Sequence, residues 1–557
     1  MAPTPELRQL PADSSIIPPS AAVIGNSARP PARSLANIAS LLPAVLLRRF
    51  TLPWLMAAIA FVLIHAAPGF RDSDFYWHLK AGELIAQTGS VPVSDPFSYT
   101  YAGRPWVAHE WLAELIFYWA DATGGFDALR LLPASAAAAT LLLMHAIVRR
   151  LTPNALSATL ATAGFFIPLM PFFTLRPQIF TYVCFTLYLL VLLDFKYFRS
   201  CRLLWLLPVL MLGWVNLHGA YMIGIGLLIV FGLLEWMNRR AGASRFSGRS
   251  HRLDLFWIAT GMTFAATLIN PQGLRILAYP FELVSMEASR GIIEEWQSPS
   301  FHDLLPRLSL AGIFAWIATL AYARRKPDLT ELLLPLLLIA AGLGALRHLP
   351  LMGIVLLPFF CVRLRHLRPP QALPLTMRSN QAVSTSPGQA TTPATVTPTQ
   401  AGAIHLLVLA MLLAIYQLDL LPVEREGRAM KRVPVGAVDY VVRNDINGHM
   451  LNDYDLGGYL IYRLSPGRKV FIDGRADLYG DKFLKAYLTT YTGGEGWQLM
   501  LERYGIDYLV LERDAPLRQM LLAQGDFKET YRDERHVVLL KDIPKFRHLI
   551  ERDAGYP

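Results

Sequence analysis

The chain has 557 residues, 53% of them hydrophobic and 17% charged, with a mean hydropathy of +0.34 and a net charge of +10. Soluble domains average about 45–50% apolar and about 25% charged residues, so this composition excludes a protein dissolved wholly in water and points to one with much of its length in lipid. Three cysteines, with Cys184 and Cys361 inside apolar runs and Cys201 in a basic loop, exclude a disulfide framework or a Cys-rich metal site, and the charge excludes a nucleic-acid partner: residues 422–557 hold 21 acidic and 21 basic side chains, so the surplus lies in the apolar part.

In chain order, residues 1–50 are rich in Pro, Ala and Ser, carry Arg29, Arg33, Arg48 and Arg49, and read as a disordered cytoplasmic tail. The apolar run at 51–67 is too far from the start for a cleaved signal peptide and reads as a retained anchor. Further runs of near spanning length lie at 129–148, 155–173, 178–195, 203–217, 219–237, 254–270, 307–323, 329–346, 349–363 and 403–421. They predict a polytopic α-helical membrane protein of about eleven crossings. Taking the tail as cytoplasmic puts Arg149/Arg150, Lys196/Arg199, Arg239/Arg240, Arg324/Arg325 and Arg363/Arg365 all on the inner side, as the positive-inside rule requires. The segment HEWLAELIFYWADATG (109–124) carries His109, Glu110, Glu114 and Asp121 and, counted as a crossing, would invert every later loop. It reads instead as a helix in the outer interface or half-buried against the bundle.

The predicted organisation is then a transmembrane module over 51–366 with a first outer loop at 68–128, a flexible Pro/Thr/Ser-rich cytoplasmic linker over 367–402, a last crossing at 403–421 and an extracytoplasmic α/β domain over 422–557. KVFID (469–473), DYLVLE (507–512) and HVVLLK (536–541) read as its strands, with a helix over 481–491.

Polar groups gather at the outward ends of the runs: Asp72 and Asp74, Arg176 in LRPQ, His218 in NLHG, Asn270 in NPQG, and Arg347 with His348. Ionisable groups at membrane depth are costly, so a one-sided set reads as the lining of an outer cavity. Asp72 or Ser73 would cap a helix ending at Gly89, holding two carboxylates at its N-terminal turn, the arrangement a general base or a divalent-cation site (Mg or Mn) needs. Arg176, Arg347, His218 and His348 are the basic members of that set. In the outer domain Asp473, Arg475 and Asp477 follow a strand end, where α/β folds commonly place ligands.

DFYWHLK (74–80) resembles the first-loop element of oligosaccharyltransferase catalytic subunits, and the stretch 109–150 is similar in layout to aminoarabinose transferases and protein mannosyltransferase-like enzymes, with VAHEW standing where those often show His-Pro-Pro or Lys-Pro-Pro. The chain thus resembles the GT-C superfamily of integral-membrane glycosyltransferases, bacterial members in particular. That resemblance implies a polyprenyl-phosphate-sugar donor, a lipid, glycan or protein acceptor, an outer-face site in a bacterial inner membrane, and inversion at the anomeric carbon. It implies Asp74 as base or metal ligand, with Asp72 and Glu110 as further carboxylates, Arg176, Arg347, His218 and His348 as the cations on the donor phosphate, and Asp473, Arg475 and Asp477 as acceptor-binding residues. A transporter or flippase for a lipid-linked or anionic substrate is the alternative; internal repeats and midplane charges, its usual marks, do not occur in the sequence.

Overall fold

The computed structural model describes residues 74–152, 154–242, 252–286, 293–367 and 433–553, and part of 56–64. The N-terminal tail, Asp72, the linker from residue 368 and the expected crossing at 403–421 lie outside the described residues.

Among these residues six helices are long and apolar enough to cross a membrane: Trp111–Leu151, Ala155–Phe172, Gln178–Phe198, Tyr221–Arg240, Leu304–Tyr322 and Leu346–Leu364. Three shorter apolar helices, Leu203–Leu217, Leu253–Ala266 and Leu329–Gly344, accompany them. Each of the nine internal runs read from hydropathy between 129 and 363 falls on one of these helices. Side chains such as Val209, Ile258 and Phe314 stand exposed on them, as only lipid would tolerate over so wide a surface. Inward-facing Trp214, Phe185, Tyr188, Leu228 and Phe256 form one continuous core.

Two details of the first loop position the site. Helix α1 (Asp74–Thr88) ends at Gly89, whose φ of 66° is the left-handed cap such a terminus favours. It packs on helix α2 (Trp111–Leu151) through Gly82, where a Cβ would strike the Glu114 carbonyl. Helix α2 breaks at Gly124 (φ −148°) and Gly125 (φ 59°, ψ −152°). The interfacial leg expected over 109–124 and the crossing over 129–148 are therefore two legs of one kinked helix.

The C-terminal part carries a four-stranded sheet in the order β1-β2-β4-β3, with β1 (Met450–Asn452) parallel to β2 (Tyr508–Glu512), and β4 (His536–Lys541) antiparallel to both β2 and β3 (Phe527–Arg532). Helix α3 (Ala476–Thr492) covers the expected 481–491 stretch. KVFID, in contrast, is no strand: Val470 makes one parallel bridge to Ser98 of the first loop. The backbone beyond it is satisfied by side chains, since buried Asn452 accepts from the Phe471 N–H at 2.9 Å and donates to the Ile472 carbonyl at 2.8 Å, while the Thr100 hydroxyl donates to the Phe471 carbonyl at 2.6 Å. The first loop and this domain share a core that includes Phe75, Tyr76, Phe97 and Trp106 together with Tyr459, Leu460 and Val470.

Candidate active site

A polar cavity of about 570 Å³ lies where α1, α2, one set of ends of the apolar helices and the C-terminal domain meet. Its lining brings together Asp74, Glu110, Arg176, His218, Arg347, Arg475 and Asp477, all read from sequence as site residues, and adds His78, Glu114, Tyr279, Glu295 and Trp296, which were not. An apolar cavity of about 460 Å³ adjoins it; Glu110, His218 and Arg347 line both, whereas His348 lines only the apolar one, its Nδ1 3.3 Å from the Ala341 carbonyl oxygen. Asp473 lines neither.

Asp74 starts α1, and its carboxylate accepts from Arg176 at 2.9 Å; the same guanidinium donates to Glu295 at 2.9 Å. Gly474 of the C-terminal domain is seated so close that a Cβ there would collide with the Asp74 carboxylate. Among the described residues no three His, Cys, Asp or Glu side chains are grouped to hold a metal ion, and Asp74 is engaged by a guanidinium. Asp72, expected as its partner carboxylate, lies outside the described residues.

Glu110 is buried at the N-terminus of α2 and faced by three imidazoles. His109 Nε2 lies 3.5 Å and His218 Nε2 3.4 Å from its Oε1, and His78 Nε2 lies 3.6 Å from its Oε2. Burial works to raise the Glu110 carboxyl, but its charge contact and hydrogen bond with His109 hold it well below the usual carboxylate range. Burial likewise works against a charge on His109, yet Glu110 carries that imidazole up to about 9. His218 goes the other way: burial, against the opposing pull of Glu110, lowers it to about 3, and its Nδ1 pairs with the Thr181 hydroxyl at 2.8 Å. The centre at neutral pH is thus a carboxylate, an imidazolium and a neutral imidazole. His109 also packs on the Tyr279 ring at 4.5 Å, and the Tyr279 hydroxyl donates to Asp477 at 2.9 Å.

Arg347 stacks on Trp296, its guanidinium carbon 4.4 Å from the ring centroid. Among the described residues no carboxylate is ion-paired with it. Such a guanidinium, at the seam of a polar and an apolar cavity, is placed to receive an anion with two oxygens.

Arg475 is 2% exposed: it donates to both oxygens of Asp473 at 2.7 Å, forms an ion pair with Asp95 of the first loop at 2.8 Å, and lies between Phe97 and Trp106 at 5.2 and 4.8 Å from their centroids. Asp473 also accepts from the Tyr479 hydroxyl at 2.6 Å. This trio fastens loop to domain, and Arg475 reaches the cavity as part of its wall.

No protein-family model matches the sequence, and no curated protein matches it. Among solved structures the chain is similar to the oligosaccharyltransferase of Archaeoglobus fulgidus tethered to an acceptor peptide containing the NVT sequon, with a TM-score of 0.48 and 13% identity over 84% of this chain and 70% of that one. It is also similar to that enzyme in complex with zinc and sulfate (TM-score 0.45, 12% identity, 83% and 68% covered). A third is ArnT from Cupriavidus metallidurans bound to undecaprenyl phosphate (TM-score 0.45, 15% identity, 91% and 98% covered).

Proposed function

We propose that the chain is an inverting glycosyltransferase of a bacterial inner membrane, moving a sugar from a polyprenyl-phosphate donor to a lipid, glycan or protein acceptor at the outer face. The observation that carries this reading is the seam between the two cavities, where Arg347, His218 and Glu110 stand together. An amphiphile with an isoprenoid tail and a phosphate-sugar head divides naturally across such a seam. The tail takes the apolar cavity, the phosphate takes Arg347, and the sugar enters the polar cavity beside Glu110.

In this reading Glu110, held ionised, accepts the acceptor's hydroxyl proton as oxygen attacks the anomeric carbon; the bond to phosphate breaks with its electron pair on polyprenyl phosphate, an anion beside a cation. Asp74, with its charge matched by Arg176, orders the entrance, and Asp477 with Tyr279 supports the acceptor side. The test is transfer of radiolabelled sugar from polyprenyl-phosphate donors by the purified protein in detergent with membrane extract as acceptor. Glu110→Gln is expected to lower turnover by on the order of 10²–10⁴ with donor affinity kept. Wild-type protein that binds no such donor by titration would remove the reading.

A further inference from the structure

Deleting a proton from the acceptor leaves Glu110 with one it must lose before the next turnover, inside a buried site. The groups around it differ in what they can take. His109 is already charged, and His218 Nδ1 is occupied by Thr181. His78, 4% exposed, is different: its Nε2 faces Glu110 Oε2 at 3.6 Å, and its Nδ1 is 3.2 Å from Oε1 of a second carboxylate, Glu114, 1% exposed. Glu114 Oε2 is buried and, among the described residues, has no hydrogen-bond partner. A buried carboxylate oxygen without a donor is costly while ionised and relieved by a proton. The two glutamates are one helical turn apart on α2, and the imidazole from α1 bridges them because Gly82 lets the helices close.

We infer that His78 and Glu114 form a proton relay behind Glu110. The relay rests on the glycosyltransferase reading for the source of its proton. In balance, protonated Glu110 gives its proton to Nε2 of His78, in the tautomer that carries hydrogen on Nδ1, as that Nδ1 proton passes to Glu114. Glu110 is again a carboxylate, Glu114 is the acid, and the imidazole has changed tautomer. As product leaves and water enters the cavity that all three residues line, the shuttle runs back: Glu114 returns its proton to His78 Nδ1 as the Nε2 proton passes to Glu110, which releases it to water, so that Glu110 is a carboxylate and His78 has its first tautomer for the next turnover. Both relay residues act through Glu110 and position no substrate atom.

The experiment compares wild type, Glu114→Gln and His78→Gln for donor binding, turnover against pH and turnover against imidazole concentration. Expected are unchanged donor affinity, turnover lowered by about 10²-fold in each variant, a rate that climbs with pH because solvent must take the proton, and recovery with added imidazole in the variants alone. His109, His218, Glu110 and Glu114 are the titratable groups around His78, so the wild-type profile is recorded with each variant's. Wild-type turnover in Glu114→Gln, or a loss that neither pH nor imidazole changes, overturns the relay. Infrared difference spectra on acidification supply the readout that does not need turnover: a protonated-carboxyl band present in the wild type and missing from Glu114→Gln. Absence of that band overturns the relay even where transfer is found. Its presence with no transfer from any polyprenyl-phosphate donor overturns the reading of the reaction and leaves the proton site standing.

Discussion

His109 and His218 face the same glutamate oxygen with opposite titration behaviour, and the difference sets how stability depends on pH. His109 is raised from 6.5 to about 9 in the folded protein, so its contribution is complete below pH 6.5 and is lost as pH rises towards 9. His218 is lowered from 6.5 to about 3, so its contribution is complete above pH 6.5 and fades as pH falls. The lowered Glu110 adds to the acid side, its share vanishing below the ordinary carboxylate range. The thermal midpoint in detergent is therefore expected to peak near pH 6.5. His109→Gln should flatten the alkaline limb and His218→Gln the acid limb; identical profiles for all three proteins would refute the assignment. Arg347→Ala should weaken donor binding with the midpoint nearly kept, since Arg347 has an aromatic face and, among the described residues, no ion-paired carboxylate, and Arg347→Lys should restore only part of the affinity because an ammonium cannot hold two oxygens at once. Donor titration checks both.

At the scale of elements, hydropathy located the apolar helices because the signal is carried by each segment alone: LRPQ, NLHG and RH at their ends mark where Arg176, His218 and Arg347 emerge. What depends on a partner was hidden. KVFID has every strand-like residue, yet Asn452 and Thr100 claim its backbone, and neither is near it in sequence. His78 and Glu114, 36 positions apart, meet only across the Gly82 seam. The trace of that meeting in the sequence was a glycine on the apolar stripe of α1 facing a helix with two glutamates a turn apart. The kink of α2 supplies a test of its own. Gly125 occupies a backbone region that side-chain-bearing residues scarcely enter, so Gly125→Ala is expected to cost about 1–3 kcal/mol and to swing the leg bearing Glu110 and Glu114. Unfolding in denaturant, read beside transfer activity, should show both losses together.

At the scale of the molecule, the first loop and the C-terminal domain are bound by one buried cation with two carboxylates. Breaking a buried pair by removing one partner costs about 3–5 kcal/mol, so Arg475→Ala should loosen the domain, expose new protease sites between loop and domain, and open the cavity, whereas Arg475→Lys keeps charge but loses the paired donation to Asp473. Limited proteolysis reports the difference. The orientation proposed from the basic loops is open to reporter fusions: alkaline phosphatase should be active after Pro557 and inactive after Arg150, and the reverse pattern would turn the protein over.

The seating of Gly474 against Asp74 also bears on how the protein comes to exist in a cell. The two residues are 400 positions apart, and until the ribosome has delivered the second, the first faces an unfinished wall. A chain ended before residue 474 therefore lacks the part of the cavity wall that lies against Asp74. Completion of the polar cavity thus waits on translation of residues 474–477, long after the helices that form its other walls have been made.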